Sequence, residues 1–162
     1  MANMKPLDFS YSTAPLIELN AVAEHRLAGM VLAADQLALA LRQALRPVLL
    51  EGAAREAVRE EFFVRTQTAF EWLLHKLQAN ADPADVARLW LDQMRKTALG
   101  LFDAQALPGL PDRTPEVQQD IIKERQMLLA NLAGRGKYGK LAYAELDLPP
   151  DTKTKKEEPA LT

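Results

Sequence analysis

Four segments of the chain repeat apolar residues at steps of three and four positions, which is the spacing of one face of an α-helix. The first segment runs from about Leu16 to Leu50, and its charged residues fall largely outside the apolar stripe. The second runs from about Ala54 to Ala79, a third starts at Pro83 and a fourth at Pro115. Because each stripe has to be covered by another apolar surface, we expect the segments to pack against one another.

Residues that start or stop helices separate these segments. Pro47 lacks a backbone donor and its ring collides with a preceding carbonyl, so the first helix should bend or end there, with Gly52 as its C-terminal cap. A capping side chain precedes a proline at Asp82–Pro83 and at Thr114–Pro115, which predicts two helix starts. These boundaries, in a chain rich in leucine and alanine, predict an all-α antiparallel four-helix bundle.

The two ends of the chain lack the helical pattern. We expect residues 1–15 to be a flexible N-terminal arm, 16–142 the bundle and 143–162 a flexible tail that ends in the disordered stretch DTKTKKEEPALT. A short segment, LAYAELDLPP, can pack back on the bundle. The arm has no signal-peptide core and no apolar run reaches membrane-spanning length, which predicts a cytoplasmic protein with no membrane partner.

The composition excludes several kinds of chemistry. The chain has no cysteine, which rules out disulfides, thiolate metal sites and a cysteine nucleophile. Its two histidines, His25 and His75, have no second ligand at the spacing of a metal site, and its two serines, Ser10 and Ser12, lie in the N-terminal arm. We therefore predict a protein that is not an enzyme, with no catalytic residue, no metal and no cofactor.

The stretch AGRGKYGKLA raises the question of a phosphate loop. Gly134, Gly139 and Lys140 satisfy most of the required spacing, but a helix precedes the glycines and Leu141 stands where a magnesium-ligating Ser or Thr belongs. A nucleotide hydrolase is kept as a third hypothesis on this spacing alone. The cations of the stretch allow two interpretations, a solvated helix end with favourable charges and an arm that grips phosphate.

Basic residues form a weak local excess although the net charge of the chain is −2. Residues 113–140 contain six Lys or Arg against three Asp or Glu, which suits either an ordinary solvated face or a surface that follows a nucleic-acid backbone. On the second interpretation, charge and placement nominate seven nucleic-acid-binding candidates: Arg95, Lys96, Lys123, Arg125, Arg135, Lys137 and Lys140.

The aromatic residues of the second segment are too many for one stripe. Phe62, Phe63 and Trp72 cannot all face the same way, because consecutive helical positions differ by about 100°. At least one large ring is therefore expected on another surface, where it would serve as a contact for a partner.

The order of the landmarks LRQALRPVL, EEFFVRTQTAFEWLLHKL, ARLWLDQMRKTALGLFDAQAL and LLANLAGRGKYGKL resembles the C-terminal four-helix bundle of the CasA family over roughly residues 20–142. CasA is the large subunit of the type I-E CRISPR surveillance complex, Cascade. The resemblance implies a non-catalytic module that helps to hold target DNA and its displaced strand. It also implies contacts with the small subunit and with the backbone subunits and their crRNA, and a part in recruiting the helicase-nuclease.

One departure from the family limits what the resemblance implies. The large N-terminal domain that carries the motif-reading loops in the family is not in this chain, so motif recognition is not assigned to it. A competing hypothesis from another class is a free helical adaptor or homo-oligomer that binds only protein, through its surplus aromatic residues.

Overall fold

The structure is a computed structural model, and it describes residues 20–49, 52–78 and 81–150. These residues form five α-helices and a single 3₁₀ turn, and they contain no strand. The helices are α1 (Ala21–Ala44), α2 (Gly52–Gln78), α3 (Pro83–Ala106), α4 (Pro115–Leu132) and α5 (Lys137–Leu146), with the 3₁₀ turn at Leu110–Asp112. The all-α antiparallel bundle predicted from the sequence is confirmed. The predicted arm, 1–15, and the stretch from 151 to 162 lie outside the described residues.

Most helix boundaries follow the predicted capping signals. The Asp82 side chain accepts a hydrogen bond from the Asp85 amide at 3.2 Å, and Thr114 Oγ1 accepts from the Val117 amide at 3.3 Å. The first helix begins after a cap at Asn20 and ends at Ala44, before Pro47. The cap predicted at Gly52 is wrong, because Gly52 is the first residue of α2 and Leu45 caps α1.

Helix α1 lies at the centre of the fold and contacts each of the other four helices. The predicted stripe is buried, including Leu27, Leu37 and Leu41. A second set of α1 residues is buried as well, and its members share small side chains: Gly29, Ala33, Ala40 and Ala44. Helix α1 is therefore covered over much of its circumference instead of along one stripe.

Helix α5 packs closely on α1. A Cβ atom added at Gly29 would lie 2.1 Å from the main-chain oxygen of Glu145, far inside van der Waals contact. The side chains of Tyr143 and Leu146 are buried, and the Tyr143 hydroxyl donates to the Leu132 carbonyl at 2.7 Å. Helix α5 thus continues past residue 142, where the sequence predicted the bundle to end. It adds a fifth helix to the four that were predicted.

Ion pairs hold neighbouring helices in their antiparallel arrangement. Arg59 of α2 lies 3.0 Å from Asp35 of α1, and Arg42 near the end of α1 lies 2.7 Å from Glu56 near the start of α2. Between these helices and α3 the core is filled by large, fully buried rings, Phe62, Trp90 and Phe102. None of the helices in the described ranges combines the length and the apolar character that crossing a membrane requires.

The close approach of α5 to α1 makes Gly29 intolerant of a side chain. We expect Gly29→Ala to destabilise the protein by about 1–3 kcal/mol, because the added methyl group must displace the α5 backbone. Gly100 is the matched control, since it lies exposed in α3 with nothing near its absent Cβ. Gly100→Ala should stabilise by about 0.5–1 kcal/mol. Urea unfolding measures both changes, and a stable Gly29→Ala variant would contradict the packing described.

Candidate nucleic-acid interface

The glycine-rich stretch forms the turn between α4 and α5. Helix α4 leads into it, as the sequence predicted, so the strand that precedes a phosphate loop is replaced by a helix. Gly134 has a φ angle of +85°, a conformation that suits glycine, and the Tyr143 ring packs against it. The turn reverses the chain so that α5 folds back along α4 and α1.

Asn131 organises this turn from inside the hairpin. Its side-chain oxygen accepts hydrogen bonds from the amides of Tyr138 and Gly139, both at 2.9 Å, and its side-chain nitrogen donates to the Met127 carbonyl at 2.9 Å. The residue is buried, and a Cβ atom at Gly139 would lie 2.1 Å from its main-chain oxygen. Asn131 therefore caps α5 in place of Gly136, which has no side chain to do so. The glycine spacing is explained by helix packing.

The three cations of the stretch take different positions. The Arg135 amide donates to the Ala130 carbonyl at 2.8 Å, which closes the turn. Arg135 is partly buried. Lys137 and Lys140 lie exposed on α5, and Lys137 Nζ is 5.4 Å from the centre of the Tyr138 ring. The first turn of α5 thus presents two ammonium groups to solvent.

On α3, Arg95 and Lys96 share one acid. The Arg95 guanidinium lies 3.2 Å and the Lys96 ammonium 3.3 Å from the Asp92 carboxylate. Burial acts to raise the pKa of Asp92, but the hydrogen bonds and charges of Lys96 and Arg95 outweigh it and lower the pKa below its ordinary value. Both cations are therefore partly neutralised by their own helix.

The two candidates on α4 differ sharply. Arg125 makes a two-pronged contact with Asp103 of α3, at 3.0 and 3.3 Å, and only 22% of its side chain is exposed. Pairing with Asp103 explains how the Arg125 charge is accommodated beside the buried apolar residues of α4. Lys123 is exposed. The seven candidates lie on α3, α4, α5 and the turn between α4 and α5, and their role as a phosphate-facing set stays a prediction.

A cleft that sequence reasoning missed lies between α1, α4 and the start of α5. Its volume is about 320 Å³, and its floor includes Ala40, Ala44 and Leu128. The Glu124 carboxyl stands in this cleft with 12% of its side chain exposed, 3.7 Å from the Arg46 guanidinium. Burial raises the pKa of Glu124, and the charge of Arg46 offsets only part of that rise. A partly buried acid that lines an open cleft is a candidate binding group.

His25, a residue of a type that can bind metals, and the aromatic residue Phe63 both make contacts within the fold. No group of three or more acids and histidines is placed to hold a metal among the residues that the structure describes. His25 Nε2 lies 2.6 Å from Asp147, a contact between α1 and the end of α5 that no local sequence pattern reveals. Phe63 is half-buried, with the Arg59 guanidinium 5.0 Å from its ring centre. The Trp72 side chain lies outside the described residues.

A family model described as CRISPR-associated protein Cse1 matches residues 1–101, which include α1, α2 and most of α3. The chain belongs to the Cse1 family. This membership confirms the resemblance to CasA and relates the chain to the large subunit of a type I-E Cascade. No curated protein and no solved structure matches the chain.

Of the seven candidates, Arg95 and Lys96 lie within the part matched to Cse1, and the other five lie beyond it. The resemblance predicted for residues 102–142 is not covered by the match and stays a prediction. Helices α4 and α5, with the glycine turn and the cleft, therefore have to be interpreted from their own contacts.

Asn131 should be the most sensitive polar residue of this region. We expect Asn131→Ala to cost about 2–4 kcal/mol of unfolding free energy, because three hydrogen bonds disappear and the α5 amides lose their acceptor. Gln119→Ala, at an exposed position of the same helix, should change stability by less than about 0.5 kcal/mol. Chemical denaturation of the two variants compares them, and equal stabilities would refute the capping role.

The raised pKa of Glu124 gives a stability change that depends on pH. The folded protein disfavours the ionised carboxyl, so stability falls as the pH rises through the raised pKa, whereas below the ordinary value of 4.5 the acid is neutral in both states. Glu124→Gln should therefore raise the melting temperature at pH 8, and the gain should vanish near pH 4.

The matched control for this prediction is Glu116→Gln. Glu116 lies exposed in the first turn of the same helix, where negative charge is favourable, so its removal should not stabilise the protein. Melting curves between pH 4 and pH 8 test both variants. A Glu124→Gln gain that is constant with pH would mean that the change acts through packing instead of charge.

Proposed function

We propose that this chain acts as a non-catalytic helical module of a type I-E Cascade. In this role it holds target DNA and the displaced strand, contacts the small subunit and the backbone subunits with their crRNA, and helps to recruit the helicase-nuclease. The observation that carries the proposal is the match to Cse1 over residues 1–101. The proposal includes a cytoplasmic location and no cofactor.

Exposed cations support contact with nucleic acid. Within the described residues, Lys123, Lys137 and Lys140 are exposed and form no ion pair, so their charge is available to an external phosphate. Lys96 is 69% exposed but shares Asp92 with Arg95. Helices α4 and α5 therefore offer a polyanion cations that have no ion-pair partner among the described residues, whereas the α3 pair is partly neutralised by Asp92.

The alternative function is a protein adaptor or homo-oligomer with no role in nucleic-acid binding. This alternative rests on the surplus aromatic rings, and the Arg59 guanidinium, 5.0 Å from the Phe63 ring centre, already contacts one of them. Size-exclusion chromatography of the full chain with and without duplex DNA separates the two functions. Comigration with DNA supports the Cascade role, whereas a DNA-independent oligomer supports the adaptor.

The lysines of α5 allow a quantitative test. In a Cascade assembled with this chain, replacing Lys137 and Lys140 by Ala should reduce the slope of log affinity against log salt by about one unit for each lost phosphate contact. The control removes the same charge elsewhere, through Arg65→Ala and Arg88→Ala, because both arginines are paired with acids of their own helices. DNA binding measured between 50 mM and 300 mM salt gives the slopes. An unchanged slope in the lysine variant removes these residues from the interface.

A further inference from the structure

The cleft between α1, α4 and the start of α5 has the size and lining of a site for one small ring system. Its volume of about 320 Å³ lies at the lower end of the range for small-molecule sites, about 300–1,000 Å³. Alanine and leucine side chains form its apolar floor, and the Met127 side chain, 47% exposed, lies at its edge. Tyr138, on the first turn of α5, also lines the cleft.

Three polar side chains that line the cleft, those of Gln43, Glu124 and Tyr138, make no hydrogen bond within the described part of the chain, whereas Asn131 makes three. The Glu124 carboxylate accepts no hydrogen bond there, and its nearest cation, Arg46, is 3.7 Å away and mostly exposed. The Gln43 side-chain amide and the Tyr138 hydroxyl make no hydrogen bond there either. A partly buried carboxylate that accepts no hydrogen bond from the described residues has both oxygens available to a ligand that donates two hydrogen bonds.

The charges around the cleft select against a cationic guest. Three cations, Arg46 and Lys123, whose charges act on Glu124, and Lys137, which lines the cleft, stand against two acids, Glu124 itself and Asp120. A lysine or arginine side chain from a partner protein would meet this positive excess. A neutral donor group joined to an anion fits better, since the donor can face Glu124 while the anion faces Lys137.

We propose that this cleft binds one unstacked base of single-stranded nucleic acid, with a preference for guanine. The inference rests on the proposed function and adds to it a site that reads a base. Guanine presents two adjacent N–H donors on its pairing edge, which match the two oxygens of the Glu124 carboxylate. The base packs against Tyr138 and the apolar floor, and Lys137 contacts the adjoining phosphate.

The test uses the full chain and ten-residue oligothymidylates that carry one central guanine, adenine or abasic site. The guanine oligonucleotide should bind about ten- to a hundredfold more tightly than the abasic one, measured by fluorescence anisotropy at one fixed salt concentration. Glu124→Gln should lose this preference and bind the adenine oligonucleotide better, because an amide can both donate to and accept from adenine. Glu116→Gln, outside the cleft on the same helix, should keep the preference for guanine.

The outcomes separate this inference from the proposed function. If guanine and abasic oligonucleotides bind equally while the lysine-dependent salt slope persists, the cleft is not a base site and the proposed function stands. If no oligonucleotide binds the chain or the assembled Cascade, both fail. A third outcome is that N-acetylarginine amide shifts the NMR signals of Tyr138 and deoxyguanosine monophosphate does not. In that case the cleft binds a side chain of a partner protein, and the inference is overturned.

Discussion

The packing of α5 depends on the contact of main chain with main chain. At Gly29 the α5 backbone approaches α1, and at Gly139 it approaches α4, each within a distance that excludes a side chain. Asn131 then holds the start of α5 by taking two of its free amides. Since the start of α5 also lines the cleft and carries Lys137, the cleft and this part of the candidate interface depend on α5 staying in place.

Sequence patterns locate the first four helices because their buried faces carry large apolar residues between clear caps, as at Asp82 and Thr114. Helix α5 gives a weaker signal, since its close contact is made through Gly139 and Ala142 instead of bulky side chains. The small-residue face of α1 is missed for the same reason. Gly52 shows a different error, in which a glycine that suits a helix end stands at a helix start.

The residues of the candidate site also differ in how far the sequence alone predicts them. Charge alone nominates Lys137 and Lys140, but it cannot separate them from Arg125, whose partner Asp103 lies on another helix. The partial burial of Glu124 arises from three helices that meet, so no local pattern predicts it. The sequence predicts that Phe62, Phe63 and Trp72 cannot all face one stripe, but no local pattern predicts that the Arg59 guanidinium contacts the Phe63 ring.

The contact of His25 with Asp147, beside the Arg26 guanidinium that donates to the Leu146 carbonyl, places both ends of the described fold at the same pole of the bundle. Chain that enters at α1 and chain that leaves after α5 are therefore neighbours. Tension applied through the two flanking segments would peel α5 from α1 one turn at a time, starting at this pole, instead of sliding the whole helix pair at once. The close contact of α5 with α1 is thus the first contact that such a load reaches.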